Sequence, residues 1–280
     1  MPTLWFAVLA GMLAVYVVLD GFDFGAGMLH LAVARDPEER RLVLRAIGPF
    51  WDGNEVWLLA AGGVLFLAFP PVYASALSGF YLPLMLVLWL LILRGIAIEL
   101  RGQLALPMWW SFWDAVFCAS SAGLAFVLGA ALGNVLRGVP LDGRGDFFVP
   151  FWTDFQPSPT PGALDWYTIL VGLLAVAALA AHGGHYLALR TSGDLQARAR
   201  RLARLWSLAS LGLVAAALPA TALVRPANLD GFRGGPWGAL AFAVAALGWG
   251  ASFWAASHGR DALAFAGSCA FLAGLLASAA

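Results

Sequence analysis

Apolar runs of bilayer length recur along this chain, and they restrict its fold to packed helices. A helix needs roughly 20 apolar residues to cross the hydrocarbon core. Lipid offers no partner to an unpaired backbone group, so such runs satisfy their own hydrogen bonds as α-helices. Candidate spans fall near 4–33, 50–69, 79–99, 113–136, 164–189, 205–224, 237–257 and 262–280. The expected fold is all-α, a polytopic transmembrane helix bundle of about eight spans forming a single integral membrane domain over residues 1–280. The chain is 61% hydrophobic and 11% charged, whereas soluble domains carry about 25% charged residues. A formal net charge of zero gives no reason to expect a nucleic-acid partner. Cys118 and Cys269 lie inside apolar runs, so neither a disulfide framework nor a zinc site is expected. Met1-Pro2-Thr3 lacks a basic leader and the first apolar run continues past Leu19, so no cleavable signal is expected.

Arginine placement orients the bundle. One set of alternate loops holds Arg35, Arg40, Arg41, Arg45, Arg101, Arg190, Arg198, Arg200, Arg201, Arg204 and Arg260. The other holds Arg137, Arg144, Arg225 and Arg233, and Arg94 falls within a span. Cytoplasmic loops carry the excess of basic residues. The eleven-arginine side is therefore inside, both termini are outside, and the Pro-, Gly- and Asp-containing stretch 137–163 is an outside loop.

Four acids lie in membrane-hydrophobic sequence between Val18 and Val64: Asp20 and Asp23 in span one, and Asp52 and Glu55 in span two. An acid at membrane depth costs roughly 2.5–3.5 kcal/mol on insertion scales unless it is paired or hydrated. Each pair is spaced i,i+3 and so occupies one helix face. The orientation brings both pairs, with Arg94 and Glu99 of span three, to one depth near the cytoplasmic surface. One arginine cannot neutralise five carboxylates, so some must be hydrated or hold a proton. A hydrated acid cluster open to the cytoplasm is a plausible proton entry. The plain alternative is that Glu99, beside Arg101, simply reaches the headgroups, and that Asp20 and Asp52 cap helices beside Gly21 and Gly53.

His182 and His185 are also spaced i,i+3, as metal or heme ligands can be. No Cys, Met or carboxylate stands at a matching position in that span, so ligation is not expected, and no metal site is assigned. His30 and His258 lie near helix ends and read as interfacial. Most tryptophans flank spans as an aromatic belt, but Trp51 and Trp57 stand beside the acids. Gly21, Gly25 and Gly27, and Gly53, Gly62 and Gly63, would permit close helix packing.

These segments carry a family resemblance. Asp20-Gly-Phe-Asp-Phe-Gly-Ala-Gly-Met-Leu and Trp51-Asp-Gly-Asn-Glu-Val-Trp-Leu resemble the first- and second-helix motifs of the second subunit of cytochrome bd quinol oxidase, the cyanide-insensitive oxidase group included. Further matches follow in order: Ser78-Gly-Phe-Tyr81, Arg94, Gly133-Asn-Val-Leu-Arg-Gly-Val-Pro140 and Tyr186-Leu-Ala-Leu-Arg-Thr-Ser-Gly193. The similarity covers at least residues 17–193; beyond residue 205 it rests on hydropathy.

The resemblance implies a subunit of a terminal oxidase of the bacterial inner membrane, which oxidises quinol and reduces oxygen to water. It implies that this subunit is not catalytic alone and ligates no cofactor. Two b-type hemes and one d-type heme belong to a larger partner subunit. A structural quinone in some members, a small single-span subunit, membrane lipid and quinol complete the expected partners. Asp23, Trp51, Asp52 and Arg94 match family positions associated with a proton path toward the oxygen site. Asp20 and Glu55 join that candidate path through their place in the acid cluster. The competing classes are a proton-coupled membrane transporter and a purely structural scaffold.

Overall fold

The structure, a computed structural model, describes residues 1–228 and 236–279. Arg233, counted above among the loop arginines, and Ala280, the end of the last expected span, lie outside the described residues. The described residues form ten helices and no strand. They are α1 Pro2–Val33, α2 Pro37–Ile47, α3 Trp51–Ala68, α4 Pro70–Gly79, α5 Tyr81–Leu100, α6 Pro107–Arg137, α7 Trp166–Arg190, α8 Gly193–Val224, α9 Pro236–Ser257 and α10 Asp261–Ala279. Among the described residues, seven of these (α1 and α5 to α10) are long and apolar enough to cross a membrane. The remaining expected span, α3, has 18 residues and so a length of about 27 Å. It opens on the polar residues Asp52, Asn54 and Glu55 and is not among the seven.

The boundaries follow local chemistry. Proline opens α1, α2, α4 and α6, where its missing N–H costs nothing. The residue before a proline is pushed out of the helical region, so Phe69 (φ −137°, ψ 58°) separates α3 from α4. Asp165 caps α7 by accepting the Tyr167 and Thr168 amides at 2.8 and 2.9 Å, while Thr168 Oγ1 accepts the Asp165 amide. Two expected boundaries shift. The short helices α2 and α4 are additional to the spans read from the sequence. Arg198, Arg200, Arg201 and Arg204, read as loop, lie in the first turns of α8, where Ala199 and Ala203 pack inward, Arg198 and Arg200 pair with Glu39 and Asp261, and Arg201 and Arg204 are exposed.

The bundle is built around α7, the most enclosed span, which packs on α1, α6, α8 and α10. Small residues allow this. A Cβ at Gly25 would come within 2.6 Å of the Gly183 Cα, so α1 and α7 cross backbone to backbone. A Cβ at Gly248 would meet the Gly267 carbonyl oxygen at 2.7 Å, and α9 and α10 pair equally closely. Spans in lipid gain little from hydrophobic exclusion, so this close fit supplies much of their association energy. Gly21 and Gly27 also sit at contacts. Gly53, Gly62 and Gly63 do not: a Cβ on any of them meets no atom within 4 Å, because that side of α3 faces away from the bundle. The outward sides of α3 and α5 carry Leu59, Phe66, Leu67 and Trp89, all exposed.

Amphipathic α2 lies across the end of the bundle. Asp36 caps it by accepting the Glu39 amide at 2.9 Å, and Val43, Ala46 and Ile47 point inward. Tyr186 of α7 donates its hydroxyl to the Ala46 carbonyl at 2.6 Å. Glu39 accepts the Arg35 amide at 2.7 Å and an Arg198 N–H, which hold its carboxyl below the usual carboxylate range.

Candidate functional site

Three helices converge on one buried charge cluster. From α1 come Asp20 and Asp23, from α5 Arg94, and from α3 Asn54 and Glu55. Asp20, Asp23 and Arg94 are wholly buried, whereas the Glu55 side chain keeps 27% of its surface exposed. Arg94 grips Asp20 in a two-pronged pair: Nη2 donates to Oδ1 at 2.6 Å and Nη1 to Oδ2 at 3.2 Å. Nη1 also donates to Glu55 Oε1 at 3.0 Å. Asp23 Oδ2 lies 3.9 Å from Nη2 and accepts the Asn54 amide at 2.8 Å. The guanidinium carbon sits 4.5 Å from the centre of the Phe24 ring, a cation–π contact.

The arrangement separates the predicted residues. Asp20, Asp23, Glu55 and Arg94 come together, but Asp52 does not join them. It is exposed, and its Oδ1 accepts its neighbour's Gly53 amide at 2.8 Å. Helical geometry gives the reason. At roughly 100° per residue, the buried stripe of α3 runs through Asn54, Leu58 and Ala61, Glu55 flanks it, and Asp52 points to the opposite side. Trp51 falls back on the near side, where its ring would lie 3.6 Å from a Cβ placed on Gly95, next to Arg94. Glu99 is exposed and outside the cluster. Three carboxylates thus face one guanidinium, an excess of two negative charges if all are ionised. Asn54 supplies the neutral donor that the sequence reading had not weighed.

A second cluster went unread. Asp114 of α6 is wholly buried and receives His30 Nε2 at 2.6 Å, Arg40 Nη1 at 3.1 Å and the Arg101 guanidinium. His30, read as interfacial, is wholly buried here, because Asp114 gives it a partner inside the bundle. An acid within a predicted span was the available signal; its partners lie 13 to 84 positions away. A third cluster closes the opposite end of α6. Arg137 binds Asp165, donates to the Gly162 carbonyl at 3.0 Å and to Asn134 Oδ1 at 2.7 Å. Asn134 Nδ2 donates to the Ala163 carbonyl at 2.8 Å. The motif from Gly133 to Pro140 therefore fastens the connection between α6 and α7.

The histidines of α7 have partners within the chain. His182 donates Nε2–H to the Val18 carbonyl at 2.9 Å, with Nδ1 2.7 Å from Ser268 Oγ. His185 Nε2 lies 3.4 Å from Ser207 Oγ. Among the described residues no group of three or more His, Cys, Asp or Glu side chains could hold a metal. A quinone does not fit the crevice between α5 and α6 either. Its volume is about 90 Å³, ligand sites run to roughly 300 Å³ or more, and its polar lining residue, Asn134, is already committed.

The fold and the cluster define a polytopic helical membrane protein that carries acids and an arginine at membrane depth. The whole chain, residues 1–280, matches the family described as cytochrome bd terminal oxidase subunit II, and the chain belongs to that family. It is 38% identical over 201 residues to cytochrome bd ubiquinol oxidase subunit 2 of Bacillus subtilis, covering 72% of this chain and 57% of that one. It is 36% identical over 208 residues to cytochrome bd-I ubiquinol oxidase subunit 2 of Escherichia coli K12, covering 74% and 54%. The chain thus spans about half the length of the curated relatives it matches. Its fold resembles the solved bd oxidase from Geobacillus thermodenitrificans, with a TM-score of 0.74, 19% identity and coverage of 99% of this chain and 82% of that one. At that identity the likeness concerns the fold. Membrane-length helices and these bacterial relatives make it a multi-pass protein of the bacterial inner membrane.

Proposed function

We propose that this chain is the second, heme-free subunit of a membrane quinol:oxygen oxidoreductase. It supports a larger subunit that holds two b-type hemes and one d-type heme, and it lines a cytoplasmic proton path to the site where oxygen becomes water. The carrying observation is the Asp20–Asp23–Glu55–Arg94 cluster, wholly buried at Asp20, Asp23 and Arg94 and open at Glu55. The opening lies at the first turns of α3, near exposed Asp52 and half-buried Trp51, and the excess of carboxylates lets the cluster accept a proton. Both termini face outward and the 137–163 loop lies outside, because the arginine excess marks the other side as cytoplasmic. Quinol, membrane lipid and a small single-span subunit are the remaining partners of this reading.

The test is quinol-driven oxygen consumption by the assembled complex. Asp52→Asn and Glu55→Gln keep shape and remove titration at the opening, and each should lower turnover about 10-fold, less than the roughly 100-fold or more of a group that itself carries the reacting proton. Heme spectra should be unchanged. Full turnover in both variants would send the protons by another route. Solute uptake by this chain alone would favour a proton-coupled transporter, the reading to which the same acid cluster lends some support.

The heme assignment has its own test. Both His182 nitrogens are engaged within the chain, so His182→Gln with His185→Gln should leave the heme content per assembled complex unchanged. Loss of one heme signal from a complex with full subunit stoichiometry would refute it.

A further inference from the structure

Amphipathic α2 and the turn between α5 and α6 border an open pocket of about 350 Å³ that the proton path does not use. Arg41, Arg45 and Arg101 line it, with Glu38 at the rim. Its charge is unbalanced. Arg101 is held from behind by Asp114, and exposed Arg41 pairs with exposed Glu38 at 3.5 Å. The Arg45 side chain makes no hydrogen bond or ion pair among the described residues. Three arginines (Arg41, Arg45, Arg101) thus line the pocket against one acid, Glu38, and the buried Asp114 behind Arg101 is shared with Arg40, so the corner is net positive.

The rest of the wall is apolar. Leu44 and Ile98 form part of it, and Trp110 stands beside them. Leu104, at the lining, is 46% exposed, and Leu106 and Met108, which follow it in the chain, are 56% and 85% exposed. In a membrane-spanning chain, bare apolar side chains next to a basic pocket mark the boundary between headgroups and acyl chains. A soluble anion would have no use for them. Basic pockets at helix ends on this side of a membrane protein recognise anionic headgroups, and arginine forks match phosphate oxygens.

We propose that this cavity binds the phosphate-bearing headgroup of an anionic phospholipid. Arg41 and Arg45 contact the phosphate, Arg101 forms the fixed floor, and the acyl chains run past Leu104 and Met108. The lipid fills the gap between α2 and the α5–α6 turn.

Native mass spectrometry of the purified complex, titrated with phosphatidylglycerol or phosphatidylcholine in detergent, tests this. Phosphatidylglycerol should be retained in preference to phosphatidylcholine. Arg45→Gln should weaken its retention ~5-fold and Arg41→Gln/Arg45→Gln ~30-fold, the equivalent of roughly 1 kcal/mol per arginine. Phosphatidylcholine retention should not change, and excess inorganic phosphate should not displace the lipid. Equal retention of phosphatidylglycerol by the double variant overturns the proposal, and so does displacement by inorganic phosphate, which would mark a free-anion site. Arg45 is exposed and without a partner, so its single variant should fold. If neither variant assembles, the wild-type titration decides, because an absence of preference for phosphatidylglycerol rejects the site.

Discussion

Replacing Arg94 with methionine should prevent stable assembly. The guanidinium is wholly buried and is the only cation within reach of Asp20, Asp23 and Glu55 among the described residues. Its removal strands Asp20 with neither oxygen paired to a charge. Breaking a buried ion pair from one side costs about 3–5 kcal/mol, a large share of the roughly 5–15 kcal/mol that holds a typical domain together. Arg94→Lys should fall between, since an ammonium cannot reproduce the two-pronged grip on Asp20. Adding Asp20→Asn to Arg94→Met removes the stranded charge and should recover much of the assembly without recovering turnover. Subunit yield and the thermal midpoint of the purified complex read the effect. A midpoint unchanged in Arg94→Met would mean that the cluster is hydrated throughout and needs no cation.

The second large effect is expected at Asp23. Its Oδ2 accepts the Asn54 amide at 2.8 Å, and an asparagine in its place can present its own amide oxygen to that donor. The substitution therefore keeps the shape and the hydrogen bond and removes the charge and the ability to carry a proton. If the proposed path runs through this carboxyl, Asp23→Asn should cut quinol-driven oxygen consumption on the order of 100-fold, the lower end of the range for a lost acid–base group. Assembly and heme spectra should persist. Electron entry from quinol, followed by rapid-scan absorbance, should remain fast while turnover stalls. Wild-type turnover in Asp23→Asn would confine the path to Asp20 and Glu55 or to the partner subunit.

The sequence revealed most where its signal was local. Bilayer-length apolar runs located the spans, and the i,i+3 pair Asp20/Asp23 does bring both acids to Arg94. The same spacing misled at Asp52/Glu55. Two residues three apart share a face only within about 60°, and here the cluster touches the edge of that face, taking Glu55 and leaving Asp52 outside. The inner turns of α3 gave no sign that neutral Asn54 would sit at its centre. Asp114 was illegible for another reason. Its three partners come from α1, α2 and the end of α5, and no periodicity links positions so far apart. His30, next to a helix end, looked interfacial until the fold placed Asp114 behind it. The arginine-rich start of α8 read as loop because its charges hid the inward stripe of Ala199 and Ala203.

The crossing of Gly25 and Gly183 lies two residues from Asp23. Backbones this close cannot slide or roll without collision, so α1 is a fixed post and its two acids are mounted on it. Arg94 stands on α5, whose buried residues are confined to Val87, Arg94 and Ala97, at the end of a long side chain. Its guanidinium already bridges Asp20 and Glu55, so the aspartates and the arginine form one fixed unit, and Glu55, 27% exposed, is the member that meets the surroundings. A bundle welded at two glycines thereby fixes where the charge sits and leaves its exit to the one side chain at the edge.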